Sequence, residues 1–172
     1  MRIAQYIIGL SLTLVLSVAH ATDLPIGSVS LSLGMDQSTV MKELHAHFHV
    51  ISVTGNKNMF FVSENKPPNV NVIGGVSFEN GRLSWIQRNW GSFSGKINPV
   101  EVSKALFSAV ESAKASSGGS AVLTTSVQRI PGAEFKSIYF TFPGRKITVS
   151  TTDGDAKYGQ QVSIEESVSV KP

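Results

Sequence analysis

The chain contains no cysteine. That absence excludes disulfides, thiolate nucleophiles, cysteine-ligated zinc and lipid attachment through an N-terminal cysteine, so the core alone must hold the fold together. Charge is scarce as well: 15 basic residues against 12 acidic ones leave a net charge of only +3. The cations form no stripe, so little is available to neutralise a phosphate backbone and nucleic acid is excluded as a partner. Beyond residue 18 no stretch approaches the ~20 apolar residues of a transmembrane helix. Histidine occurs four times, and apart from His20 every one lies between residues 45 and 49. No serine occupies a Gly-x-Ser-x-Gly elbow, or a Ser-x-x-Lys arrangement backed by companion motifs. A hydrolytic triad would therefore have to recruit His45, His47 or His49, and no catalytic residue is assigned.

What the chain does have, at its start, is the pattern of a secretory signal over residues 1–21. Arg2 supplies the positive end, Ile7 to Val18 the apolar stretch, and Ala19-His20-Ala21 a small-x-small cleavage site. The expectation is a mature chain beginning at Thr22, periplasmic or secreted, with no transmembrane segment after cleavage.

Alternating Val29, Leu31 and Leu33 read as a half-buried strand, and Asp36 as the cap of a short helix carrying Val40, Met41, Leu44 and Phe48 on one face. Strands follow on either side of Thr54-Gly55-Asn56. "VSFENGRLSW" then places Asn80-Gly81 between alternating runs, the preferred pair for a two-residue hairpin turn with both central φ angles positive. The simplest register sets Phe78 against Leu83, Ser77 against Ser84 and Val76 against Trp85. Val76, Phe78, Leu83 and Trp85 then share the core face, while Ile86, Arg88 and Trp90 share the opposite one. Gly91 to Pro99 reads as a connector. Val102, Ala105, Leu106, Ala109, Val110 and Ala113 form the stripe of an amphipathic helix that ends at "SSGG". Strands are expected at 121–130, 135–142, 146–151 and 162–170, with Pro131-Gly132 and Pro143-Gly144 as turns.

The pattern predicts an α+β fold, a helix packed on an antiparallel four-stranded sheet, with two such modules in tandem at 22–96 and 97–172. Whether the halves form one sheet or two is left open. "VSLSLGMDQSTVMKEL", a strand leading through Leu-Gly-Met into a short helix, resembles the exported modules of the SmpA/OmlA outer-membrane assembly lipoproteins. It also resembles the β-lactamase-inhibitor-like fold, in which two modules can lie in tandem. The resemblance covers residues 27–90 and rests on Gly34, Met35 and Val40. It implies protein binding. Lipid anchoring does not carry over, because Ala21-Thr22 offers no acceptor cysteine.

Three candidate features remain. In "HAHFH", His45, His47 and His49 alternate, but in a strand His45 and His49 are ~13 Å apart and in a helix His47 turns away. Two of them can reach one ion; a third ligand would have to come from elsewhere, and none stands out. "DGDAKYG" pairs two carboxylates in a loop without the further spaced oxygens of a calcium site. Arg88 and Trp90, predicted on the face away from the core, are the candidate partner-binding residues, since Trp and Arg are favoured interface anchors. The sequence thus predicts an exported, non-catalytic protein-binding module, an assembly factor or inhibitor. It needs no cofactor, and its partner is another exported or envelope protein. The alternative is a zinc-binding protein or zinc-dependent enzyme using His45, His47 and His49. Oligomeric state is open.

Overall fold

A computed structural model describes residues 23–155 and 159–170. The expected signal at 1–21 and part of the Asp153–Gly159 loop lie outside the described residues. The hairpin of β1 (Asp23–Ile26) and β2 (Val29–Ser32) comes first, and its register aligns Leu24 with Leu31 and Ile26 with Val29. All four side chains are buried. In α1 (Gln37–His47), Val40 and Leu44 are buried as their spacing predicts. Asp36 is the N-cap residue but makes no side-chain cap; its carboxylate pairs with Arg82 at 3.2 Å instead.

Four strands follow, β3 (His49–Val53), β4 (Asn56–Ser63), β5 (Val72–Glu79) and β6 (Arg82–Ser94). Helix α2 (Pro99–Ser117) is capped by the Asn98 side chain, which accepts from the Val100 amide, and ends at Gly118 in the left-handed conformation. The last four strands are β7 (Val122–Ile130), β8 (Ala133–Phe142), β9 (Arg145–Gly154) and β10 (Gln160–Ser169). No helix among the described residues is long and apolar enough to cross a membrane.

The expectation of a helix on a four-stranded sheet is overturned. The described residues are mostly β, 57% strand and 21% helix, with one eight-stranded antiparallel sheet in the order β3-β4-β5-β6-β10-β9-β8-β7 and the separate two-stranded hairpin. The reason is β6, which runs for 13 residues and absorbs Gly91–Ser94 from the expected connector. Its outer edge pairs with β10 from Trp85–Ser169 to Ser94–Gln161. Two would-be edges, each with a row of unpaired amides and carbonyls, thereby satisfy one another in the middle of the sheet.

Both helices lie on one face. Ile164, Glu166 and Val168 alternate along β10, so they share a face; Val168 packs in the cluster of Val40 and Leu44, and Ile164 in that of Ala109 and Ala113. The β1–β2 hairpin and α1 cover one half of this face and α2 the other. Fully buried Phe78, Leu83, Ile86 and Ile147 each contribute about 1.5–3 kcal/mol of burial energy to the layer beneath.

The turn at Asn80-Gly81 forms as expected, with φ of 51° and 74°. Glu79 pairs with Arg82 and Phe78 with Leu83, but then the register slips: Ser77 faces Trp85 and Val76 faces Ile86. Ser84 is the extra residue of a β-bulge, and from Trp85 to Asn89 the side chains of β6 change face relative to the uninterrupted register, until a second irregularity at Trp90, opposite Ile164 and Glu165, shifts the register back. Ile86 enters the core and Trp85 leaves it.

Candidate functional site

Past the bulge, Arg88 sits opposite Glu166 on the helix-covered face. Glu166 is fully buried and accepts three side-chain hydrogen bonds. Its Oε1 accepts from Arg145 Nη1 at 2.7 Å, and its Oε2 accepts from the Trp90 indole at 3.0 Å and from the Ser112 hydroxyl of α2 at 3.4 Å. Arg88 completes the group by lying 3.8 Å above the Trp90 ring. Arg145 also donates through Nη2 to the carbonyl of Asp23 in the β1–β2 hairpin. The cluster therefore ties the hairpin, α2, β6 and β9 together at the seam between the two covering layers. Burial pulls the Arg88 guanidinium below its ordinary pKa while Glu166 acts in the opposite sense. Arg88 and Trp90 do share a face, but it is the face that the helices cover.

The opposite face of the sheet meets no other element among the described residues. On it, Met59, Ser77 and Trp85 form one cross-strand row and Phe61, Gly75 and Gln87 the next. The Trp85 ring leans over Gly75, where an added Cβ would lie 3.2 Å from Cζ3. Trp85 is half-buried and forms a wall of two clefts. The larger, about 600 Å³, runs past Ser167 and Ser169 to Lys146 and Thr141. The smaller, about 320 Å³, is lined by Met59, Ser77, Ser84 and Val170. Farther along, the same face is small and polar: Ser92, Ser163, Ser150, Ser137 and Ser126 stand side by side on five successive strands.

Glu165, beside Asn89 and Thr148, also points to this face. Burial pushes its carboxyl above the ordinary carboxylate range, and the side-chain hydrogen bond with Gln87 offsets part of the rise. A carboxyl whose pKa is raised in the fold is penalised once ionised, so its contribution to stability falls as pH rises from the ordinary carboxylate range through the raised value. Glu165→Gln is expected to stabilise the protein at about pH 7, by no more than about 1 kcal/mol because solvent screens a partly exposed group. The gain should vanish by about pH 3, where the wild-type carboxyl is protonated in both states. Urea denaturation of both proteins at the two pH values checks this.

The histidines are divided between elements. His45 and His47 are exposed in the last turn of α1, and half-buried His49 opens β3 opposite Ser63. No group of three or more His, Asp or Glu side chains able to hold a metal ion occurs among the described residues. Gly74-Gly75 is a place of close backbone approach: a Cβ on Gly74 would strike the Gln87 carbonyl oxygen and two carbons of Ile26.

Sequence reasoning did not find Trp85, Lys146 or the Arg145–Glu166 pair. The signal for the pair was present in "IEESV", where Glu166 takes its turn between Ile164 and Val168 on the apolar side of a strand. Comparison of the chain with protein-family models, characterised proteins and solved structures yields no match.

Proposed function

We propose that this is an exported, non-catalytic protein-binding module that engages another exported or envelope protein through the helix-free face of its sheet. The observation that carries the reading is Trp85, a large aromatic side chain held half-open between two clefts on a face that no other element covers among the described residues. Aromatic anchors beside pockets dominate protein interfaces because they combine large apolar area with few rotamers to freeze. Lys146 and the hydroxyls of Ser167, Ser169 and Thr141 rim the larger cleft and suit a polar or acidic side chain of the partner. Export is supported by the signal pattern at residues 1–21, and protein binding also by the SmpA/OmlA and inhibitor-like resemblance of residues 27–90.

The test is affinity capture from an envelope extract with wild-type, Trp85→Ala and Lys146→Glu proteins as bait, followed by titration of the captured protein. A partner whose affinity falls at least about 30-fold with Trp85→Ala, the ~2 kcal/mol of an interface hot spot, supports the proposal. Lys146 is exposed, so Lys146→Glu should weaken binding without altering the fold. An intrinsic activity abolished by one polar substitution, or a partner indifferent to both changes, would refute it.

A further inference from the structure

The two edges of the large sheet are built differently. At one end β3 is five residues long, its register breaks between Ser52 and Val53, and all but one of its side chains are at least half-buried. Short length and an irregular register are the ordinary means of keeping a sheet edge from pairing with another chain. At the other end β7 has none of these protections. It pairs with β8 without a break from Val122–Thr141 to Ile130–Ala133, and contains no Pro, Lys, Asp or Glu. Val122, Leu123 and Val127 are 65%, 58% and 53% exposed, although they belong to a strand of the main sheet. Its outer amides and carbonyls face no other strand among the described residues.

The sequence of β7 suits one occupant in particular. We propose that β7 is a dimerisation edge, on which two copies pair antiparallel about a twofold axis at Thr125. In that register Leu123 stands opposite Val127 of the second copy, and Val127 opposite its Leu123. The exposed apolar side chains on the helix side of the strand then bury one another. Thr124 meets Ser126 on the opposite face. Arg129, the strand's one charge, is already paired with Glu134 at 2.5 Å. Four residues from the axis on each copy, the two Arg129 side chains lie roughly 27 Å apart, beyond the screening length, and do not repel. A parallel arrangement would bring them within about 5 Å and would not close on itself. The main contacts of α2 fall on β6, β8, β9 and β10, and every residue of β7 but Ile130 is exposed, which leaves the helix side of β7 open to the second copy. Because the axis is perpendicular to the sheet, the dimer carries two Trp85 surfaces on one side of a continuous sixteen-stranded sheet. The assembly does not depend on whether those surfaces bind a partner.

Two experiments test the dimer. Sedimentation equilibrium of the wild-type protein, at up to about 100 μM, should show reversible dimerisation. Val127→Lys should raise the dissociation constant at least about tenfold while leaving the thermal midpoint unchanged in dilute solution where both proteins are monomeric, since the side chain is exposed in the single chain. The absence of native cysteine permits a positional test as well. Thr125→Cys meets its own copy at ~4.5–5.5 Å between Cβ atoms and should oxidise to a covalent dimer, whereas Ser126→Cys, at ~7–8 Å, should do so at least about tenfold more slowly. A protein that stays monomeric across this range, or cross-linking no faster at 125 than at 126, overturns the proposal and leaves the edge to a strand from another protein.

Discussion

Replacing Glu166 with alanine is expected to destabilise the protein by about 3–5 kcal/mol, a large part of the ~5–15 kcal/mol that holds a typical domain together. The change leaves the Arg145 guanidinium buried with its carboxylate gone and its Nε, which already has no hydrogen-bond partner among the described residues, still unsatisfied. It also removes the acceptor of the Trp90 indole N–H. Arg145→Met should cost distinctly less. Glu166 would keep its bonds to Trp90 and Ser112 and the nearby charge of Arg88, so one charge is lost without orphaning the other. The double substitution Arg145→Met with Glu166→Leu should recover much of the loss, because an apolar pair of similar size avoids desolvating two ions. A double-mutant cycle by urea denaturation measures the coupling. Equal losses in the two single variants would show that the pair, and not the wider cluster, carries the stabilisation.

Gly74→Ala should also be severe, at about 3 kcal/mol, the upper end of what overpacking usually costs. Its new Cβ would overlap the Gln87 carbonyl oxygen on β6 and meet Ile26 Cδ1 and Cγ2 at 3.0 Å. The backbone oxygen belongs to a paired strand and cannot step aside. Gly75→Ala, one residue along and on the other face, meets the Trp85 ring at 3.2 Å and the Phe60 carbonyl at 3.3 Å, contacts that shifts of a few tenths of an ångström relieve. The expected result is a clearly lower thermal midpoint for Gly74→Ala than for Gly75→Ala. Similar midpoints would mean that β1 and β6 can give way around Gly74 of β5 and that the hairpin is held less tightly than its burial suggests.

The individual elements were legible in the sequence because their signals are local. Asn80-Gly81, Pro131-Gly132 and Pro143-Gly144 mark turns through the φ angles they permit, and the stripe from Val102 to Ala113 marks α2. What was not legible depends on residues far apart or on one inserted residue. The bulge at Ser84 leaves no sign in composition: Trp85 and Ile86 are both large and apolar, and either could continue the core row from Leu83. A slip of one position therefore exchanged the faces assigned to Trp85, Ile86, Arg88 and Trp90. The union of β6 with β10 joins segments some 70 residues apart, and alternation within either strand says nothing about its neighbour. The charged cluster was half visible, since Glu166 on an apolar row calls for a buried partner, but nothing local to it identifies Arg145.

β10, the last strand among the described residues, lies at the centre of the sheet. During synthesis, β6 is made long before β10 exists, and the interior cannot close until β10 has been made. Contacts this distant in sequence make folding slow in comparison with chains built from neighbouring pairs. Until then β6 is a long open edge, the same hazard that β7 presents in the finished molecule. Deletion of Gln160–Ser169 would not trim the protein at its periphery; it would remove the keystone and leave two separate sheets.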